Sequence, residues 1–142
     1  MSELYGRAVK LLARREHTRA ELASKLAAHG SAEEIETVLN QLARSGMQSD
    51  ARFAESYVRS QSARLGAARL RQALRQKGVA AELIEGQVRD LPDELERCRL
   101  VWAKKFAAPP ADRREWAKQA RFLEGRGFSS EIIRKLLKDI EP

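Results

Sequence analysis

Gly78-Val79-Ala80-Ala81-Glu82-Leu83-Ile84 and Gly127-Phe128-Ser129-Ser130-Glu131-Ile132-Ile133 are one pattern written twice, 49 residues apart. A sparser copy, Leu26-Gly30-Glu34-Ile35, comes 48 residues before the first. All three place Leu four residues before a glycine, Glu four after it, and Ile or Leu five after it. A recurring period of this length is the mark of tandem structural repeats. A helix carrying apolar residues four apart is expected to end at each glycine, in the left-handed region where a Cβ would clash. Val79 and Phe128 then close the helix end, and Glu34, Glu82 and Glu131 fall in the first turn of the next helix, facing its positive dipole end.

Working outward, a longer amphipathic segment precedes each glycine helix. Leu4, Ala8, Leu11 and Leu12 share one face of the first, Phe53, Tyr57 and Val58 of the second, and Leu95, Cys98, Val101 and Trp102 of the third. Thr18 with Glu21 reads as a capping box. Pro92-Asp93-Glu94 opens the third long helix, with proline at its first turn, and Lys104-Lys105 closes it. Breaks fall at Ser49-Asp50, around Leu65-Gly66 and at Pro109-Pro110. The expected fold is all-α: three tandem three-helix repeats over residues 1–48, 49–91 and 92–142. A unit of ~45 residues buries too little surface alone, so neighbours are expected to pack into one elongated body.

The composition agrees. Of 142 residues 43% are hydrophobic but only 6% aromatic, so the core is built of Leu, Ala, Ile and Val. No apolar run approaches the ~18 residues of a membrane span, and the N-terminus lacks a signal-peptide layout. With the single Cys98, these features point to a soluble, cytoplasmic protein with no internal disulfide. A net charge of +7 favours polyanionic partners, nucleic acid first. The charge is +1, +3 and +3 along the three repeats. From Ser56 to Ala81 no acidic residue occurs, yet Arg59, Arg64, Arg69, Arg71, Arg75 and Lys77 do. Arg71 and Arg75, one helical turn apart on the face opposite Leu70 and Leu74, form the sharpest candidate for binding phosphates or carboxylates. Lys104, Lys105, Arg113, Arg114, Lys118 and Arg121 extend the candidate surface into the third repeat, diluted by acids.

Catalytic readings find no residues. His17 and His29 lack partners with metal-ligand spacing, so no metal site is expected. Cys98 sits on an apolar face as a small hydrophobe rather than a nucleophile. Trp102 reads as core, and Trp116 stays open between core and base stacking. Gly125-Arg126-Gly127 lacks the preceding strand of a phosphate loop. A helix-turn-helix DNA-binding regulator is one alternative, since a short helix, a glycine turn and another helix mimic that motif. Ser31-Ala32-Glu33-Glu34-Ile35-Glu36 opposes it, because a recognition helix starting there would point acid at phosphates.

Ala8-Val9-Lys10-Leu11-Leu12-Ala13-Arg14-Arg15-Glu16-His17-Thr18-Arg19-Ala20-Glu21-Leu22, continuing to Lys25-Leu26 and Gly30, resembles the first repeat of the bacterial RecX family. Ser49-Asp50-Ala51-Arg52-Phe53-Ala54-Glu55-Ser56-Tyr57-Val58-Arg59-Ser60 is similar to its most recognisable string. Arg71-Gln72-Ala73-Leu74-Arg75-Gln76-Lys77-Gly78-Val79 follows at the family's distance. Arg121-Phe122-Leu123-Glu124-Gly125-Arg126-Gly127-Phe128-Ser129 resembles the third repeat. Many members carry a glycine–aromatic–glycine–proline loop where this chain has Arg64-Leu65-Gly66-Ala67-Ala68. The resemblance implies a curved rod of three-helix repeats lying in the groove of the RecA–DNA filament. It further implies inhibition of the filament's ATPase, strand-exchange and co-protease activities. Weak, non-sequence-specific contact with single- and double-stranded DNA, a monomeric state, no cofactor and no enzymatic activity complete the expectation.

Overall fold

The computed structural model describes residues 2–139. Among them are nine α-helices and no strand: α1 (Glu3–Arg14), α2 (Arg19–Leu26), α3 (Ala32–Arg44), α4 (Asp50–Gln61), α5 (Ala67–Gln76), α6 (Ala81–Arg89), α7 (Glu94–Lys105), α8 (Arg113–Gly125) and α9 (Ser130–Asp139). The chain is thus all-α, with three helices in each repeat.

Helix starts follow the residues that satisfy orphan amides. Thr18 and Ser31 each accept from the amide three residues on, while Glu21 and Glu34 reach back to the cap amides, giving two complete capping boxes. Asp93 caps α7, so Pro92 precedes the cap and does not occupy the first helical position expected of it. Two of the three repeat glycines adopt left-handed backbone, Gly78 at φ 86° and Gly127 at φ 94°. In both, the amide of the following residue reaches back five positions, from Val79 to Leu74 and from Phe128 to Leu123, and the apolar side chain after the glycine is buried. Gly30 departs from this expectation. It lies past the end of α2 but not in the left-handed region; Gly46, after α3, is there instead, at φ 79°.

The chain divides into two compact units, and the middle repeat is shared between them. Among the described residues, one holds 2–57 with Leu74–Ile84; the other holds Val58–Ala73 with 85–139. The first has a core of Leu4, Ala8, Leu22, Leu26, Val38 and Leu42 with their neighbours. The second is built on Cys98, Val101, Leu123, Phe128, Leu136 and Leu137, with Trp102 and Trp116 both packed against it. Trp116, left open by the sequence, is therefore a half-buried core residue.

Each unit contains the same joint. In the first, the start of α2 rests on the Gly78 turn. The Thr18 hydroxyl donates to the Lys77 carbonyl at 2.6 Å, and the Arg19 amide donates to the Asp50 carboxylate at 2.8 Å. In the second, the start of α5 rests on the Gly127 turn. The Gly66 amide donates to the Arg126 carbonyl at 2.7 Å, and the Ala67 amide donates to the Glu94 carboxylate at 2.8 Å. Contact is too close for side chains at the glycines. A Cβ on Gly78 would lie 2.5 Å from the Ala20 Cβ, and one on Gly127 would lie 2.5 Å from the Arg69 Cβ.

Candidate binding surface

α5 turns Leu70 and Leu74 fully inward and leaves Arg69, Gln72, Arg75 and Gln76 exposed. The stretch around it is free of acid in sequence but not in space. Glu85 of α6 meets Arg71 with two hydrogen bonds, Nε to Oε2 at 2.8 Å and Nη2 to Oε1 at 3.1 Å. These bonds raise the Arg71 pKa and occupy the guanidinium fork. Glu21 lies 3.8 Å from the Lys77 ammonium, which also sits 6.0 Å over the Phe53 ring. Arg71 and Lys77 are thus engaged within the fold, and the expected Arg71–Arg75 pair separates into a held arginine and an exposed one. Among the described residues, Arg64, Arg69 and Arg75 are exposed and have no carboxylate partner. Arg59 is exposed on the last turn of α4.

The third repeat contributes a cleaner stripe. α8 buries Gln119 and Leu123 and exposes Arg114, Lys118 and Arg121, spaced four and three apart on one face. None has a carboxylate partner among the described residues. Like charges one turn apart cost a few tenths of a kcal/mol per pair. Arg113 is also exposed, in the first turn beside the Asp112 cap, where the helix dipole disfavours a cation. Lys104 is exposed at the end of α7. Lys105 lies 5.4 Å from the Phe122 ring centre, and Arg126 lies 5.0 Å from the same ring. Arg126 was not among the sequence candidates. Its signal was its register: it precedes the turn glycine just as Lys77 does in the previous repeat.

A second arginine missed by sequence has a structural task. Arg97 is only 7% exposed and donates to the carbonyls of Ser62 and Leu65 in the loop before α5. Burial lowers its pKa. Cys98 beside it is fully buried; burial first, then the nearby Glu94 charge, pushes its pKa up to about 12. A thiol held protonated in this way is a poor nucleophile. His17 is buried against the Arg15 carbonyl at 3.0 Å and the Lys25 ammonium at 3.3 Å. No group of three metal-ligating side chains occurs among the described residues, and no described helix is long and apolar enough to cross a membrane. At the start of α3 the Glu34 carboxylate is committed to its capping box. The arrangement presents charge to bind with, built on arginine forks that suit phosphate or carboxylate oxygens.

Comparison with known proteins matches the three repeats one by one. Residues 5–42 match the first three-helix domain of RecX, residues 49–86 the second and residues 92–137 the third. The regulatory protein RecX of Leptothrix cholodnii is 50% identical over 95% of this chain and 87% of its own length. That of Neisseria meningitidis serogroup C is 44% identical over 95% and 89%. A crystal structure of RecX from Lactobacillus salivarius superposes with a TM-score of 0.84, covering 97% of this chain and 94% of that one at 24% identity. The helical repeats and the relatives agree: this chain belongs to the RecX family of regulatory proteins.

Proposed function

We propose that this chain regulates the RecA recombinase by docking in the groove of the RecA–DNA filament. Bound there, it inhibits the filament's ATPase, strand-exchange and co-protease activities. It acts in the cytoplasm as a monomer with no cofactor and no chemistry of its own, and touches DNA weakly without reading sequence. The observation that supports this reading is the set of exposed cations without carboxylate partners on α5 and α8, in a chain of the RecX family. Arg75 and the Arg114–Lys118–Arg121 stripe carry the contacts, while Arg71 and Lys77 chiefly hold the fold.

Titration into a RecA ATPase assay at two salt concentrations tests this. Arg75→Ala and Arg114→Ala/Lys118→Ala are expected to weaken inhibition, whereas folded Arg71→Ala inhibits nearly as well as the parent. If DNA supplies the contact, each lost phosphate partner lowers the salt dependence by about one unit of log–log slope. If the RecA surface supplies it, weak DNA binding survives the same substitutions. Full inhibition by the Arg75 and α8 variants at both salts would sink the assignment.

A further inference from the structure

The groove between α1 and α2, wholly inside the first unit, holds cations that the proposed function does not use. It encloses about 580 Å³. Arg7, Lys10 and Arg14, spaced three and four apart on α1, form one rail; Lys25 of α2, with His29 in the turn past the end of that helix, forms the other. Between them lies the half-buried Leu11, with the fully buried Leu26 beneath. Gly6 keeps one end open, since a Cβ there would meet nothing within 4 Å. The one acidic residue lining it is Glu3, whose carboxylate lies 3.9 Å from Arg7. Lys10 and Arg14 have no carboxylate partner among the described residues. The repeat's net charge of +1 conceals this concentration, because Glu33, Glu34 and Glu36 sit on α3, and no residue of α3 lines the groove.

We infer that this groove docks an acidic polypeptide segment carrying leucine-like side chains. Carboxylates on such a segment meet the two rails, and an apolar side chain between them rests on the half-buried Leu11, the pattern of helix-in-groove recognition. Charge complementarity selects the sign of the partner, and the lining selects its chemical class. No aromatic ring lines the groove, and single-stranded nucleic acid relies on such rings to stack its bases. Leu11 between the rails likewise offers nothing to a phosphate backbone. The docking stands apart from the cations on α5 and α8.

A fluorescein-labelled peptide of Glu-Asp pairs separated by Leu, titrated against the full chain by fluorescence anisotropy, tests the inference. The peptide is expected to bind, and Lys10→Glu/Arg14→Glu to weaken it about tenfold or more. Replacing the peptide's Leu by Ser weakens it as well, whereas Arg75→Ala leaves it unchanged. Labelled oligothymidylate serves as the competing ligand class, and its binding should be indifferent to the α1 changes. Lys10→Gln/Arg14→Gln, judged by unchanged helical circular dichroism, replaces the charge-reversed variant if that variant unfolds; a smaller weakening is then expected. No peptide binding, binding untouched by either α1 variant, or oligothymidylate binding that depends on them as strongly would each overturn the assignment. None of these results bears on filament inhibition by the α5 and α8 cations, so the two readings fail separately.

Discussion

Gly78 answers two demands at once, and they are physically independent. Its φ of 86° disfavours any L side chain, and Ala20 stands 2.5 Å from where a Cβ would go. Replacing Gly78 by Ala is therefore expected to cost about 1 kcal/mol for the backbone and a further 1–3 kcal/mol, roughly, for overpacking. Gly30 looks equivalent in sequence but carries neither demand in full. Its backbone is ordinary, and its nearest neighbour is a terminal methyl of Leu4 at 3.0 Å, on a side chain that can shift. Urea unfolding of Gly78→Ala and Gly30→Ala should show the first losing well over twice what the second loses. The periodicity made the three glycines visible but hid this difference, because the strictness of the requirement comes from what docks on the turn. Docking also explains why Arg71 was overvalued as a free cation. Its neutralising Glu85 lies fourteen residues away on another helix, beyond the reach of a local charge count.

At the scale of elements, the joints decide which polar residues carry stability. Asp50 and Glu94 each open a helix and accept from the first amide of another, α2 and α5 respectively. An amide deprived of such a partner costs about 1–3 kcal/mol where it is shielded from water. Asp50→Ala and Glu94→Ala are expected to lose that much in chemical denaturation, while Glu36→Ala, exposed on α3, stays within about 0.5 kcal/mol of the parent. Equal losses at all three positions would contradict the joint. His17 adds a pH dependence at the first joint, where its carbonyl accepts from Gln48. Burial is the chief cause lowering its pKa below 6.5, with the Arg15 and Lys25 charges adding to it. The unfolded chain thus binds the proton more readily than the folded one. Stability should fall as pH drops through 6.5 and level off below the folded value. Denaturation midpoints at pH 7.5 and 5.5 check this, and His17→Gln should flatten the difference between them. Helix identities, the Thr18 capping box and the core faces were legible because they depend on neighbours three or four residues away. The joints were not, since no periodicity announces that Thr18 will meet Lys77.

For the whole molecule, family and repeat number were legible from motif order, and the cation-rich segments from composition. The partition of those cations into held and available ones required the folded chain. So did the cation-lined groove of the first repeat, where a near-neutral sum masks segregation by helix. The placement of the joints has a further consequence for anyone cutting the gene. Repeat boundaries look like natural places to divide such a chain, yet a cut after residue 91 removes Glu94 and the Arg126 carbonyl, on which the start of α5 depends. A fragment ending there should be less helical per residue and less stable than its intact core predicts, a deficit readable by circular dichroism and thermal melting. The first two repeats are not self-contained beads on a string: each has a helix start fastened by residues of the repeat that follows it. Deletion or swapping of a single repeat therefore leaves a raw edge on its neighbour unless the fastening residues travel with it.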